Sequence, residues 1–211
     1  MNRMSAARAC SNVVALVAWS ALALQMAIVI QKMTGEGASV GDAIWRFFGF
    51  FTILTNVAVA VQATAAAASG PSRRLNNPVL RLSVATSILI VGLIYSIALR
   101  SLWQPTGWQA VADHALHDAT PVLYLLTWIL LPHGQLCWVS ALWAIVPAFG
   151  YFIYALLRGA ADGWYAYWFM DPTALPPVQM AANVAMLLLV FLLVALALVG
   201  FDKWLAQRKL D

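Results

Sequence analysis

The chain is poor in charge. Only 9% of its 211 residues are Asp, Glu, Lys or Arg, against 63% that are hydrophobic, where a soluble domain carries roughly 25% charged and about half apolar residues. That scarcity excludes an ordinary water-soluble domain. The net charge of +4 is spread over loops and tails, so it bears on orientation in a membrane and gives no reason to expect a nucleic-acid partner. Cysteine is nearly absent as well: Cys10 and Cys137 make no disulfide framework, and both are expected to be inert packing residues on the reducing, cytoplasmic side. No period-two alternation points to a barrel, and no stretch reads as a second, soluble domain.

What is there is hydrocarbon, in six runs: approximately Ser11–Gln31, Ala43–Ser69, Val79–Leu99, Ala115–Leu131, Cys137–Leu157 and Val178–Gly200. Each is near or above the ~20 residues that cross a ~30 Å core, the fourth being shortest. Lipid cannot satisfy backbone polar groups, so such runs must be helices. The expected fold is therefore all-α, one domain over 1–211, a bundle of six transmembrane helices. The first run follows a basic start, but its length exceeds the h-region of a signal peptide and it reads as a retained helix. The 10 Trp and 6 Tyr suit the membrane interfaces.

The basic residues set the expected orientation. With the N-terminus in the cytoplasm, the inside holds Arg3, Arg8, Arg73, Arg74, Arg81, Lys203, Arg208 and Lys209; the outside holds Lys32, Arg46, Arg100 and Arg158. Six crossings return the C-terminus to the cytoplasm. Glu36, Asp42, Asp113, Asp118, Asp162 and Asp171 instead gather at the outer face. Acids weigh little in topology, so this bias marks the outer half as the place for chemistry.

Three polar constellations lie there. In the second helix Thr52, Thr55 and Asn56 share a face by i, i+3, i+4 spacing, with Phe48 and Gly49 one turn above. Thr52 stands seven residues past Trp45, about 10 Å below the interface at 1.5 Å per residue. The plain alternative is a threonine bonded to its own i−4 carbonyl and an asparagine bridging two helices. In "DHALHDATPV", His114, His117 and Asp118 share a helical face by the same spacing, and ionisable groups in a span mark a functional site by default. Asp113 and His114 also fit a purely interfacial role. As metal ligands the set of three matches no motif such as HExxH. Haem ligation is disfavoured because His133 sits in an inner loop. In the third, "RGAADGWYAYWFMDPTALPP", an aromatic cluster including Trp164, Tyr165, Tyr167 and Trp168 ends at Asp171. It reads either as an interfacial belt or as a lid over an apolar pocket. Thr52, His117 and Asp171 thus bring a hydroxyl, an imidazole and a carboxylate to one end of one bundle, the parts of a nucleophilic hydrolase. The depths disagree: Thr52 lies two turns down, His117 near the start of its helix, so tilt or a longer fourth helix is required.

With "FFTILTN", "HALHDATPV" and "GWYAYWFMDP" in this order, the chain resembles a bacterial relative of the androgen-induced and androgen-dependent TFPI-regulating membrane proteins. That resemblance implies a multi-pass protein of the cytoplasmic membrane that hydrolyses fatty acid esters of hydroxy fatty acids. The family threonine falls on Thr52, the nucleophile, and the family histidine on His117. Animal members follow the histidine with Thr-Thr, where Asp118 and Ala119 stand here. They carry an acid soon after the threonine, where this chain has Thr55 and Asn56. The loop acid falls on Asp171, where the animal sequences can carry Glu. The expected roles are Thr52 as nucleophile and His117 as general base and then acid. Asp118 or Asp171 would orient the ring, with His114 beside it. Asn56 and nearby indole N–H groups would stabilise the oxyanion. Lipid contacts are expected from Phe48, Phe51, Thr55, Trp164, Tyr167 and Trp168, the acyl chain entering between helices beside Phe47, Phe48, Phe50 and Phe51. No cofactor or metal is expected; the partners are a lipid or fatty-acyl ester substrate and membrane lipids. The alternatives are a metal-dependent hydrolase built on His114, His117 and Asp118, and a lipid-binding protein without catalysis. A transporter is less favoured: the sequence shows no clear inverted repeat and no ionisable residue deep at the midplane.

Overall fold

The structure is a computed structural model that describes residues 3–68 and 75–208. Ser69, Arg73, Arg74 and Lys209 of the expectations above lie outside the described residues. The described chain is all-helical: α1 (Arg3–Gly35), α2 (Val40–Phe47), α3 (Phe51–Ala67), α4 (Pro78–Ile94), α5 (Gly107–His114), α6 (Thr120–Leu130), α7 (Ser140–Ala144), α8 (Val146–Asp162) and α9 (Pro177–Gln207). Two π-turns interrupt this order, Tyr95–Leu99 after α4 and Ala115–Ala119 between α5 and α6.

Four helices are long and apolar enough to cross a membrane: Met4–Gly35, Pro78–Leu99, Ser140–Asp162 and Pro177–Gln207. A fifth is added if α2 and α3, bent by 79° at their junction, are taken together. This is the pattern of a multi-pass membrane protein. The continuous helix from Gly107 to Leu130 starts eight residues before the expected Ala115. Asp113, His114, His117 and Asp118 in its first half dilute the apolar character that would place it with the others.

The expected second helix, Ala43–Ser69, is not continuous. It breaks at Phe48–Phe50, where Phe50 is extended (φ −93°, ψ 134°). A Cβ on Gly49 would lie 2.6 Å from Trp164 Cζ3 and 3.0 Å from the Arg46 carbonyl, so glycine is what lets Trp164 pack on the break. A helix end strands carbonyls that apolar surroundings cannot solvate, and α8 supplies the missing donors. Tyr151 donates to Gly49 O at 2.9 Å, Tyr154 to Phe48 O at 3.1 Å and Arg158 to Trp45 O at 2.6 Å. These three residues lie at i, i+3 and i+7 on one face of α8. At the other end of α2, Ser39 and Asp42 form a reciprocal capping box.

The core lies where α1, α3, α4 and α6 meet. Small residues there (Ala18, Ala21, Ala60, Ala63 and Ala85 are all buried) let backbones approach closely, the packing that apolar surroundings favour. Gly92 of α4 does the same for the helix carrying His117: a Cβ there would meet the His117 carbonyl at 3.2 Å.

Candidate functional site

Because of the bend, Thr52 is the second residue of α3 rather than a mid-helix residue two turns inside a longer one. Its i−4 partner, Phe48, lies beyond the break and gives its carbonyl to Tyr154. The Thr52 hydroxyl is therefore not bonded back to its own helix. It faces Nε2 of His117 at 3.4 Å. The bend and the early start of the fourth helix together remove the depth mismatch that the sequence posed.

The π-turn does the rest. A π-turn adds a residue to the helical repeat and shifts the direction of side chains around it. His114, His117 and Asp118 accordingly do not share a face. His114 and Asp118 point outward as an i, i+4 pair, 2.8 Å apart, and Asp118 also binds Arg100. His117 points inward, its side chain 15% exposed against 59% for His114. Its Nδ1 meets the Asp113 carbonyl oxygen at 3.0 Å and the Asp113 carboxylate at 3.4 Å. A carbonyl only accepts, so Nδ1 carries the proton, and Nε2 of the neutral ring keeps its lone pair toward Thr52. The facing π-turn contributes Tyr95, whose ring stacks on the imidazole (centroids 4.2 Å apart, 16° between planes) and whose hydroxyl donates to the Asp113 carboxylate.

The loop after α8 folds down onto the same place. Trp164 packs edge-on against Phe50 and under the Arg46 guanidinium. Asp162 anchors it by accepting from the Trp45 indole at 2.6 Å and from the Trp164 amide at 2.9 Å. Tyr167 stacks edge-on to Phe50, and its hydroxyl sits against the Thr52 side chain and the amides of Phe51 and Thr52. Those amides open α3, whose N-cap residue Phe50 offers no side-chain acceptor.

Several expectations are corrected. Asp118 does not orient His117; its partners are Arg100 and His114, because the π-turn aims it outward. Asp171 is away from the ring. It caps its own turn, accepting from the Thr173 amide at 2.8 Å and hydroxyl at 2.6 Å, which holds its carboxyl low. Asn56 cannot serve an oxyanion: its amide donates to Thr52 O at 2.9 Å and Leu116 O at 3.3 Å, which uses both N–H bonds. The Trp45 indole is likewise taken. Trp168 is 68% exposed and points away from Thr52's neighbours, packing edge-on against Phe169. Phe47 is in the core and Phe48 packs against it, so neither borders a channel. Thr55, by contrast, keeps its place as a candidate lipid contact: it is buried and lines a cavity on a neighbouring face of α3. Cys137 is exposed and bonded to Ser140, which lowers its thiol pKa, so it is no packing residue. Among the described residues no three His, Cys, Asp or Glu side chains converge as metal ligands, which leaves the His114/His117/Asp118 alternative without its ligand set.

Sequence reading missed Asp113, Tyr95 and the α8 donors. Asp113 and His117 stand at i, i+4, a spacing that was legible; the π-turns that choose this pair over His114/Asp118 have no sequence signature. Compared with known proteins, the chain matches no protein-family model, no curated protein and no solved structure.

Proposed function

We propose that this protein is an integral-membrane hydrolase of long-chain lipid esters, with Thr52 as nucleophile and His117 as general base. The observation that carries this reading is the 3.4 Å approach of the Thr52 hydroxyl to an imidazole nitrogen whose partner nitrogen is fixed as a donor by Asp113. A threonine hydroxyl is a weak nucleophile until a base takes its proton. His117 Nε2 accepts that proton as Oγ1 attacks the ester carbonyl carbon. The ester C–O bond then breaks, and the imidazolium returns the proton to the departing alkoxide. Water, deprotonated by the same nitrogen, attacks the acyl carbon; the bond to Oγ1 breaks, the imidazolium returns the proton to Thr52, and the acid leaves. Asp113 and Tyr95 hold the ring in place; the Phe51 and Thr52 amides with the Tyr167 hydroxyl are the donors available to the developing oxyanion.

On this reading the helix Gly107–Leu130, fourth in chain order, completes the six crossings, both termini are cytoplasmic, and α2 lies along the outer interface, its Ala43 and Phe47 turned inward. The resemblance to the animal threonine hydrolases supports the same residues. The test is labelling of the purified protein by a long-chain fluorophosphonate with mass spectrometry of the adduct. Modification at Thr52, lost in His117→Ala, is expected. Absence of labelling, together with stoichiometric lipid retention, would replace the enzyme by a binding protein.

A further inference from the structure

Between α3, α4 and α8 the helices do not close on one another. A cavity of about 290 Å³ lies there, bordered by Phe51, Thr55 and Ala58 of α3, Ser87 of α4, and Gly150 and Tyr151 of α8. Its wall is almost entirely carbon. Tyr151 and Tyr154 present their rings, because their hydroxyls are bound to Gly49 O and Phe48 O. The Ser83 hydroxyl is turned back to Val79 O at 3.0 Å.

We infer that this cleft is an acyl-chain subsite holding a single hydrocarbon chain. Phe51 to Ala58 is seven residues, about 10 Å of helix, so the cleft is elongated. Its volume stands at the bottom of the range for small-molecule sites, too small for a two-chain lipid. Ala58 and Gly150 border it without bulk, and a Cβ on Gly150 would meet nothing within 4 Å. Two of its walls, α4 and α8, belong to helices apolar enough to cross a membrane, so its open side faces hydrocarbon and a chain enters sideways without meeting water. Its outer end is Phe51, the residue before Thr52. On the hydrolase reading, a chain whose ester lies at the Thr52 hydroxyl passes around the Phe51 ring, from one face of α3 to the next, to reach the cleft. The route differs from the one expected beside Phe47, Phe48 and Phe50, all packed away; Phe51 alone of those four borders the cavity. The orientation of the chain rests on the hydrolase reading; the occupancy of the cleft does not.

The test uses the full chain in nanodiscs with a fatty acid bearing a mid-chain diazirine. After irradiation, adducts are expected to concentrate on Leu54, Ala58, Ser87 and Gly150, equally in wild type and Thr52→Ala. The exposed small positions permit filling of the cleft by Ala58→Phe with Gly150→Phe, which should reduce those adducts by about fourfold for each methylene excluded. Adducts spread evenly over lipid-facing positions such as Leu16, Leu157 and Leu193, unchanged by filling, mean passive surface lipid and overturn the subsite. In parallel, the ratio of kcat/KM for a palmitoyl over an acetyl ester of the same alcohol should fall in the filled variant. An unchanged ratio overturns the subsite and leaves the hydrolase reading standing. Absence of turnover in wild type strikes the hydrolase reading alone, and the adduct map then decides the cleft.

Discussion

At one end of the bundle His117 turns Nδ1 to Asp113 and Nε2 to the Thr52 hydroxyl. At the far end of the same helix His133 turns Nδ1 to Asp202 at 2.7 Å and Nε2 to the Ile129 carbonyl at 3.1 Å. Both are imidazole–carboxylate pairs packed against an aromatic ring, Tyr95 in the first case and Trp128 in the second. The inner pair is the more buried, with side chains 2% and 3% exposed, and Asp202 also accepts from the Gly134 amide at 3.0 Å. Both nitrogens of His133 face acceptors, so neither is turned to a hydroxyl whose proton it could take: the ring ties the loop after α6 to α9. His117 faces one acceptor and one hydroxyl, and it alone has a nitrogen free to take a proton. A histidine–aspartate pair is thus not itself a catalytic signature; what the second nitrogen faces decides.

The sharpest break of this comparison is Thr52→Ala or His117→Ala, each expected to lower ester turnover by about 10³-fold or more with thermal unfolding little changed. Residual turnover above a tenth of wild type would remove that residue from the chemistry. Asp202→Ala should do the reverse, costing about 1–3 kcal/mol of stability by leaving the buried His133 ring and the Gly134 amide without their acceptor. The folded fraction should keep its kcat, and a kcat loss without a shift in unfolding would contradict the assignment. Asp113→Asn and Tyr95→Phe weaken the support of the ring but leave the Asp113 carbonyl in place, so the expected loss is about 10- to 100-fold, the worth of one hydrogen bond to a charged group. A matching loss in Asp118→Asn would show that the outward pair had been dismissed wrongly.

Most of the helices were legible, because runs of hydrocarbon leave no other backbone solution; Pro78–Leu99 matches its expected bounds almost residue for residue. Thr52 and His117 were legible as residue types, an alcohol and an imidazole in apolar segments. Their geometry was not. It depends on a break whose cause, Trp164 packed on Gly49, lies more than a hundred residues away, and on π-turns that local spacing does not announce. The outer acids misled for a related reason. They look alike in sequence, yet Asp42 caps a helix, Asp118 pairs with Arg100, Asp162 anchors a loop and Asp171 closes a turn. Asp113 alone faces the ring.

Smaller effects sharpen the picture of the break. Gly49→Ala forces Trp164 or the Arg46 carbonyl to move and should destabilise by about 1–3 kcal/mol, read from thermal unfolding; a neutral result would mean that the indole shifts freely. Asp162 has the smallest effect. Asp162→Asn keeps one acceptor oxygen but loses the charge on its bonds to Trp45 and Trp164, so thermal unfolding should report a loss of about 0.5–1.5 kcal/mol; an unchanged midpoint would dissociate the carboxylate from the loop.

The donors on α8 impose an order on biogenesis. The carbonyls of Trp45, Phe48 and Gly49 wait for side chains that the ribosome makes about a hundred residues later. Until those arrive, the cheaper state in lipid is an unbroken rod through Phe48–Phe50, since each stranded carbonyl costs several kcal/mol. The bend can therefore settle only once Tyr151, Tyr154 and Arg158 have docked, and with it the approach of Thr52 to His117.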